Sequence, residues 1–202
     1  MKTKVPEKGK KYGLLGGAFD PVHLGHTQLA IDIKNARSLD GVFCIPSYAH
    51  PFKNQNEKAD YIDRLAMLER ATEPYCELMV WELEKEHNLS GYTIDTVKKI
   101  KELYPESEFY FIIGADNINS FNTWHNPDEI IKEIKIIAGS RPDSIVDIAE
   151  YADYIEYIET SLLDISSTAV KKLIRESGYT EKLLDFVHPK VFEYIRKRKL
   201  YL

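Results

Sequence analysis

The chain has 202 residues, 27 Lys plus Arg against 32 Asp plus Glu, a formal net charge of −5 at pH 7 and 44% apolar residues. That composition suits a globular chain with one well-buried core, and its acidic balance argues against a general nucleic-acid binder, which carries a basic stripe. Two distant cysteines, Cys44 and Cys76, argue against a disulfide framework and a zinc site, and no apolar run approaches the ~20 residues of a membrane span.

Residues 1–11 read as a solvated basic tail with no signal-peptide core behind it, so a cytoplasmic location is expected. Tyr12–Leu15 is the first strand, stopped by Gly16-Gly17. A helix follows over Gly25–Arg37, with Leu29, Ala30, Ile33 and Ala36 on one face. Val42–Ile45 is a second buried strand closed by Pro46, and a polar loop covers Ser47–Lys58. Asp60 is placed to cap a helix whose apolar stripe is Ile62, Leu65, Ala66 and Met67.

Strands are expected at Glu77–Trp81, Glu108–Ile113, Lys135–Ala138 and Tyr154–Ile158. Helices are expected at Thr93–Leu103, Asp116–Phe121 and Asp128–Lys132. A further helix, capped by Ser166 or Ser167, carries Val170, Leu173 and Ile174, and a last one starts near Pro189. The alternation implies an α/β, Rossmann-like, mostly parallel sheet with helices on both faces. One domain over residues 12–202 is the economical reading, with 160–202 a helical part packed on the sheet. The basic run Arg196–Lys199 reads as a solvated helix end.

The string Gly16-Gly17-Ala18-Phe19-Asp20-Pro21-Val22-His23-Leu24-Gly25-His26 sits where the first strand hands over to the first helix. In open α/β sheets, ligands bind at the carboxyl ends of strands. Gly16 and Gly17 allow close backbone approach, and Gly25 leaves room between the two histidines. His23 and His26 lie on one side of the helix start, beside its unpaired N–H donors. Together these make a phosphate site with imidazole donors. Neither a dinucleotide G-x-G-x-x-G nor a P-loop is present.

The H-x-G-H core of this string resembles the signature of the HxGH nucleotidylyltransferase superfamily, and the chain is similar to bacterial nicotinate-mononucleotide adenylyltransferases over nearly its whole length. The other segments that carry the likeness are Ile45-Pro46-Ser47, Tyr92–Thr96, Phe111–Asp116, Thr123-Trp124-His125 and Ile165–Thr168. The resemblance implies transfer of AMP from ATP to nicotinate mononucleotide in NAD biosynthesis, with Mg²⁺ arriving as the partner of ATP. It leaves nicotinate against nicotinamide open, as well as oligomeric state. Another phosphate acceptor, or nucleotide binding without catalysis, are the competing readings.

On that resemblance His23, His26 and Lys53 are the catalytic candidates, and Gly16, Gly17, Ala18, Phe19 and Gly25 belong to the ATP site. Ser166, Ser167, Thr168 and Lys171 would form a second anion site at a helix start. Tyr92, Thr93, Asp116, Trp124 and Arg141 would hold the mononucleotide, with Trp124 against the pyridine ring. Three positions depart from the family pattern: Lys171 stands for an arginine, Gly91 for a serine and Phe52 for a histidine.

Overall fold

The computed structural model describes residues 5–48, 59–140, 151–161 and 165–202; the side chains of residues 115, 116 and 140 lie outside that description. Six strands form one sheet in the order β3-β2-β1-β4-β5-β6. They are β1 (Lys11–Gly17), β2 (Gly41–Pro46), β3 (Leu78–Val80), β4 (Glu108–Gly114), β5 (Lys135–Ser140) and β6 (Ile155–Glu159). Every pairing is parallel, so the expected mostly parallel sheet is wholly parallel. The strand order reverses between β1 and β4, the topological switch point where such sheets open a cleft beyond the carboxyl ends.

Eight α-helices are described: α1 (Leu24–Ala36), α2 (Tyr61–Thr72), α3 (Leu83–Glu86), α4 (Thr93–Leu103), α5 (Ala115–Ile118), α6 (Pro127–Glu133), α7 (Ser167–Ser177) and α8 (Pro189–Arg198). Strand side chains alternate between two cores. Leu15, Val42, Cys44, Ile112 and Ile137 face α1, α2, α7 and α8, whose Ile33, Met67, Val170 and Ile195 complete that core. Leu14, Phe43, Ile45, Phe111 and Ile136 face the other side, with Leu83, Val97, Ile118 and Ile130 from α3 to α6. The segment after residue 160 thus closes the same face as the first helix. No described helix is long and apolar enough to cross a membrane.

Helix α2 departs from the expected stripe. Ile62 is 72% exposed, while Asp63 and Arg64 are buried in line with Met67 and Leu68. The charges tolerate burial because both side chains are hydrogen-bonded. Asp63 accepts from the Tyr194 hydroxyl at 2.7 Å and from Arg198 Nε at 3.0 Å, binding α2 to α8. The Asp60 side chain makes no capping bond, although the residue does sit at the N-cap.

Candidate active site

The strand-to-helix connection after β1 places two imidazoles face to face. The His23 and His26 ring centroids are 3.7 Å apart. His23 is the N-cap of α1, and its backbone N–H donates to His26 Nδ1 at 3.2 Å. A neutral imidazole whose Nδ1 accepts carries its proton on Nε2, so His26 presents an Nε2–H donor. Burial lowers the His23 pKa to about 4. Burial, then the neighbouring His23, lowers His26 well below its ordinary value, although its ring keeps some exposed surface. Both rings are therefore neutral at pH 7. His23 Nδ1 is buried and makes no hydrogen bond among the described residues.

The space at Gly25 is taken up by the His23 ring. A Cβ there would stand 3.0 Å from His23 Nδ1 and 3.1 Å from its Cε1. The helix start is also less open than its sequence implied, because the Leu24 N–H donates to the Phe186 carbonyl at 2.8 Å. That partner comes from the turn before α8, 162 positions further along the chain.

The Phe19 side chain points into the core. It is 1% exposed and packs edge-on against His26, with ring centroids 5.1 Å apart. Its backbone is left-handed, with φ 48°, a conformation costing roughly 1 kcal/mol for a residue with a Cβ. Burial of its ring offsets that cost and fixes the His26 plane. Gly17 lies over the same Phe19 ring, and Gly16 lies over Phe111, which a Cβ would approach to 3.3 Å. Both glycines sit at the carboxyl end of β1, beside Ile45 and Pro46 of β2.

Helix α7 brings the second expected anion site beside the first. Ser166 is its N-cap and accepts from the Ala169 N–H at 3.1 Å. The Ser167 hydroxyl donates to the Pro21 carbonyl at 2.9 Å, so it ties α7 to the histidine loop. Thr168 is exposed. Thr168 and Lys171 line one groove with Lys172, Arg175 and Glu176. The Lys171 ammonium pairs with Asp20 at 2.5 Å.

Sequence reasoning missed Arg64, which fastens the rim of the site. Its guanidinium donates to the carbonyls of Ala18 at 2.7 Å, Ser47 at 2.8 Å and Ala59 at 3.2 Å. One buried cation thereby joins the ends of β1 and β2 to the start of α2. A signal was present: Asp63 and Arg64 stand four residues before Met67 and Leu68, on the inward stripe of a 3.6-residue period.

The expected pyridine region lies beyond β4. Trp124 is half-buried, tilted against Phe121 at 5.3 Å and edge-on to Phe111 at 6.1 Å. Phe111 thus touches both the glycine turn and the Trp124 loop across the β1–β4 switch. Tyr92 stacks on exposed His125 with ring centroids 4.1 Å apart. The Tyr92 N–H donates to Ser90 Oγ at 3.1 Å. Thr93 is the first residue of α4. Gly91 has φ +85°, where a serine would be strained. The hydroxyl of the region is supplied by Ser90, which also bonds Asp95. Asp116 lies in the first turn of α5, with its side chain outside the described residues. Lys53 and Arg141, with Phe52, lie outside the described residues altogether.

The chain thus folds as a doubly wound parallel sheet with paired imidazoles at its switch point. The profile of the cytidylyltransferase-like family matches residues 14–173. The probable nicotinate-nucleotide adenylyltransferase of Bacillus pumilus is 36% identical over 195 residues, covering 95% of this chain and 98% of that protein. Its namesake in Bacteroides thetaiotaomicron is 34% identical over 195 residues, covering 96% and 95%. The chain belongs to the nicotinate-nucleotide adenylyltransferase family. In fold it is similar to the Plasmodium falciparum nicotinic acid mononucleotide adenylyltransferase complexed with NaAD, with a TM-score of 0.80 at 23% identity over 95% of this chain and 97% of that one.

Proposed function

We propose that the carboxyl edge around β1 and β4 binds ATP and nicotinate mononucleotide together and passes AMP from the first to the second. A phosphate oxygen of the mononucleotide attacks the α-phosphorus of ATP. A new P–O bond forms, the bond from the α-phosphorus to the bridging oxygen breaks, and pyrophosphate leaves with that electron pair. The products are nicotinate adenine dinucleotide and pyrophosphate, a step of NAD biosynthesis.

The attacking phosphate is already an anion at pH 7, so no general base is required. The chain's work is alignment and stabilisation of developing charge. His26 donates through Nε2–H to the triphosphate, and His23 meets it through its own imidazole. The N-terminus of α7, with Thr168 and Lys171, takes the other side of the phosphates. Trp124 and the Tyr92–His125 pair bracket the pyridine ring. Lys53 and Arg141 are assigned to phosphate and nucleotide, and Asp116 to ribose, from their places in the sequence.

Mg²⁺ enters as the partner of ATP, held by phosphate oxygens and water. Among the described residues no group of three or more His, Cys, Asp or Glu side chains is placed to hold a metal ion. The observation that carries this reading is the neutral His23–His26 pair, locked by Phe19 and the α1 N-cap next to the Ser167-tethered start of α7. Purified chain is expected to release pyrophosphate from Mg-ATP only when a pyridine mononucleotide is added. Absence of that release with nicotinate mononucleotide overturns the reading.

A further inference from the structure

Four distant pieces of the chain meet at the carboxylate of Asp20. Its Oδ2 accepts from Lys171 Nζ at 2.5 Å. Its Oδ1 accepts from the Tyr201 hydroxyl at 2.8 Å and from the Ala59 N–H at 3.0 Å. Asp20 is 6% exposed, so both oxygens need these partners. The Lys171 ammonium also lies 5.4 Å from the centroid of the Tyr201 ring. Tyr201 therefore touches both members of the ion pair, Asp20 through its hydroxyl and Lys171 through its π face.

The placement of Tyr201 is built into the segment after α8. Lys199 and Tyr201 both adopt left-handed backbone, with φ 53° and 70°. The Leu200 N–H returns to the Ile195 carbonyl at 3.1 Å, and the Leu200 carbonyl accepts from the Tyr179 hydroxyl at 3.1 Å. Burial, then the Asp20 charge, pushes the Tyr201 hydroxyl above its ordinary pKa, so it stays a donor.

Lysine is a point charge on a flexible stem and lacks the fork that orients an arginine. Such a side chain gains most from partners that fix it before a ligand arrives, because ordering it then costs less on binding. We propose that Asp20 and Tyr201 are positioning residues that hold the Lys171 ammonium beside the start of α7 for the triphosphate of ATP. This rests on the reading of Lys171 as a phosphate ligand given above.

The test is a set of Mg-ATP titrations by calorimetry on the full chain, with KM for each substrate measured in parallel. Asp20→Asn and Tyr201→Phe are compared in the natural background and in Lys171→Ala. Asp20→Asn is expected to weaken ATP binding about tenfold, the size of a direct coupling between touching groups. Tyr201→Phe, which removes a single oxygen, is expected to weaken it less. Both effects should vanish in Lys171→Ala, and KM for the mononucleotide should stay put. Equal weakening in both backgrounds, or none in variants that melt cooperatively, overturns the proposal. So does unchanged ATP binding in Lys171→Ala. Intact ATP binding without turnover of any pyridine mononucleotide would instead defeat only the acceptor assignment.

Discussion

The Ser167 hydroxyl donates to the Pro21 carbonyl at 2.9 Å, joining residues 146 positions apart in the chain. Through it the α1 start and the α7 start, the two halves of the proposed phosphate site, are tied together. Ser167→Ala is expected to cost about 1 kcal/mol of stability, the usual net worth of one neutral hydrogen bond. KM for ATP should rise while KM for the mononucleotide holds. Steady-state kinetics and a denaturant titration read both numbers.

His26→Ala is expected to leave the fold intact and to lower kcat by about 10²–10³, the loss typical of one transition-state donor. The fold survives because the ring's main structural bond is a single one, from the His23 N–H. Circular dichroism and single-turnover rates check the two halves of this statement.

Gly25→Ala sets stability against function. Alanine in a helix is favoured over glycine by about 1 kcal/mol. The added Cβ, however, would stand 3.0 Å from His23 Nδ1 and displace the imidazole. The variant is expected to melt no lower than about 2 °C below the parent, within the offset of these opposing terms, while kcat falls steeply. Differential scanning calorimetry beside an initial-rate assay gives the comparison.

The buried imidazoles also set an acid limit. Unfolded His23 takes up its proton near pH 6.5, and folded His23 does so only at about 4. Between those values the unfolded state binds more protons, so stability falls as pH drops from 6.5 to about 4, by about 3 kcal/mol for this group. His26, lowered for the same first cause, acts in the same direction. The denaturation midpoint should therefore fall between pH 7 and pH 5, and His23→Asn should flatten that slope.

The sheet was legible because strands such as Phe109–Ile113 are continuous apolar runs closed by glycine, and helix α4 matched its expected span at both ends. The candidate site at Gly16–His26 was legible as a motif because its parts are contiguous. The clamps around it were silent. Asp20 lay inside the motif, yet its partners Ala59, Lys171 and Tyr201 are 39, 151 and 181 positions away. Arg64 had no place in the expected stripe of Ile62, Leu65, Ala66 and Met67, and only its three carbonyl partners explain its burial. The Tyr92 contacts were equally silent: its N–H donates to Ser90 and its ring stacks on His125, a residue 33 positions away.

The most direct measurement is pyrophosphate release from Mg-ATP with nicotinate mononucleotide, phosphopantetheine and glycerol 3-phosphate as separate acceptors, for the natural chain and for Trp124→Ala. Rapid release with nicotinate mononucleotide alone, with its KM raised about tenfold or more by loss of the indole face, is the result predicted here. Equal or faster release with either other acceptor, or a Trp124→Ala variant with an unchanged KM for the pyridine mononucleotide, would contradict it.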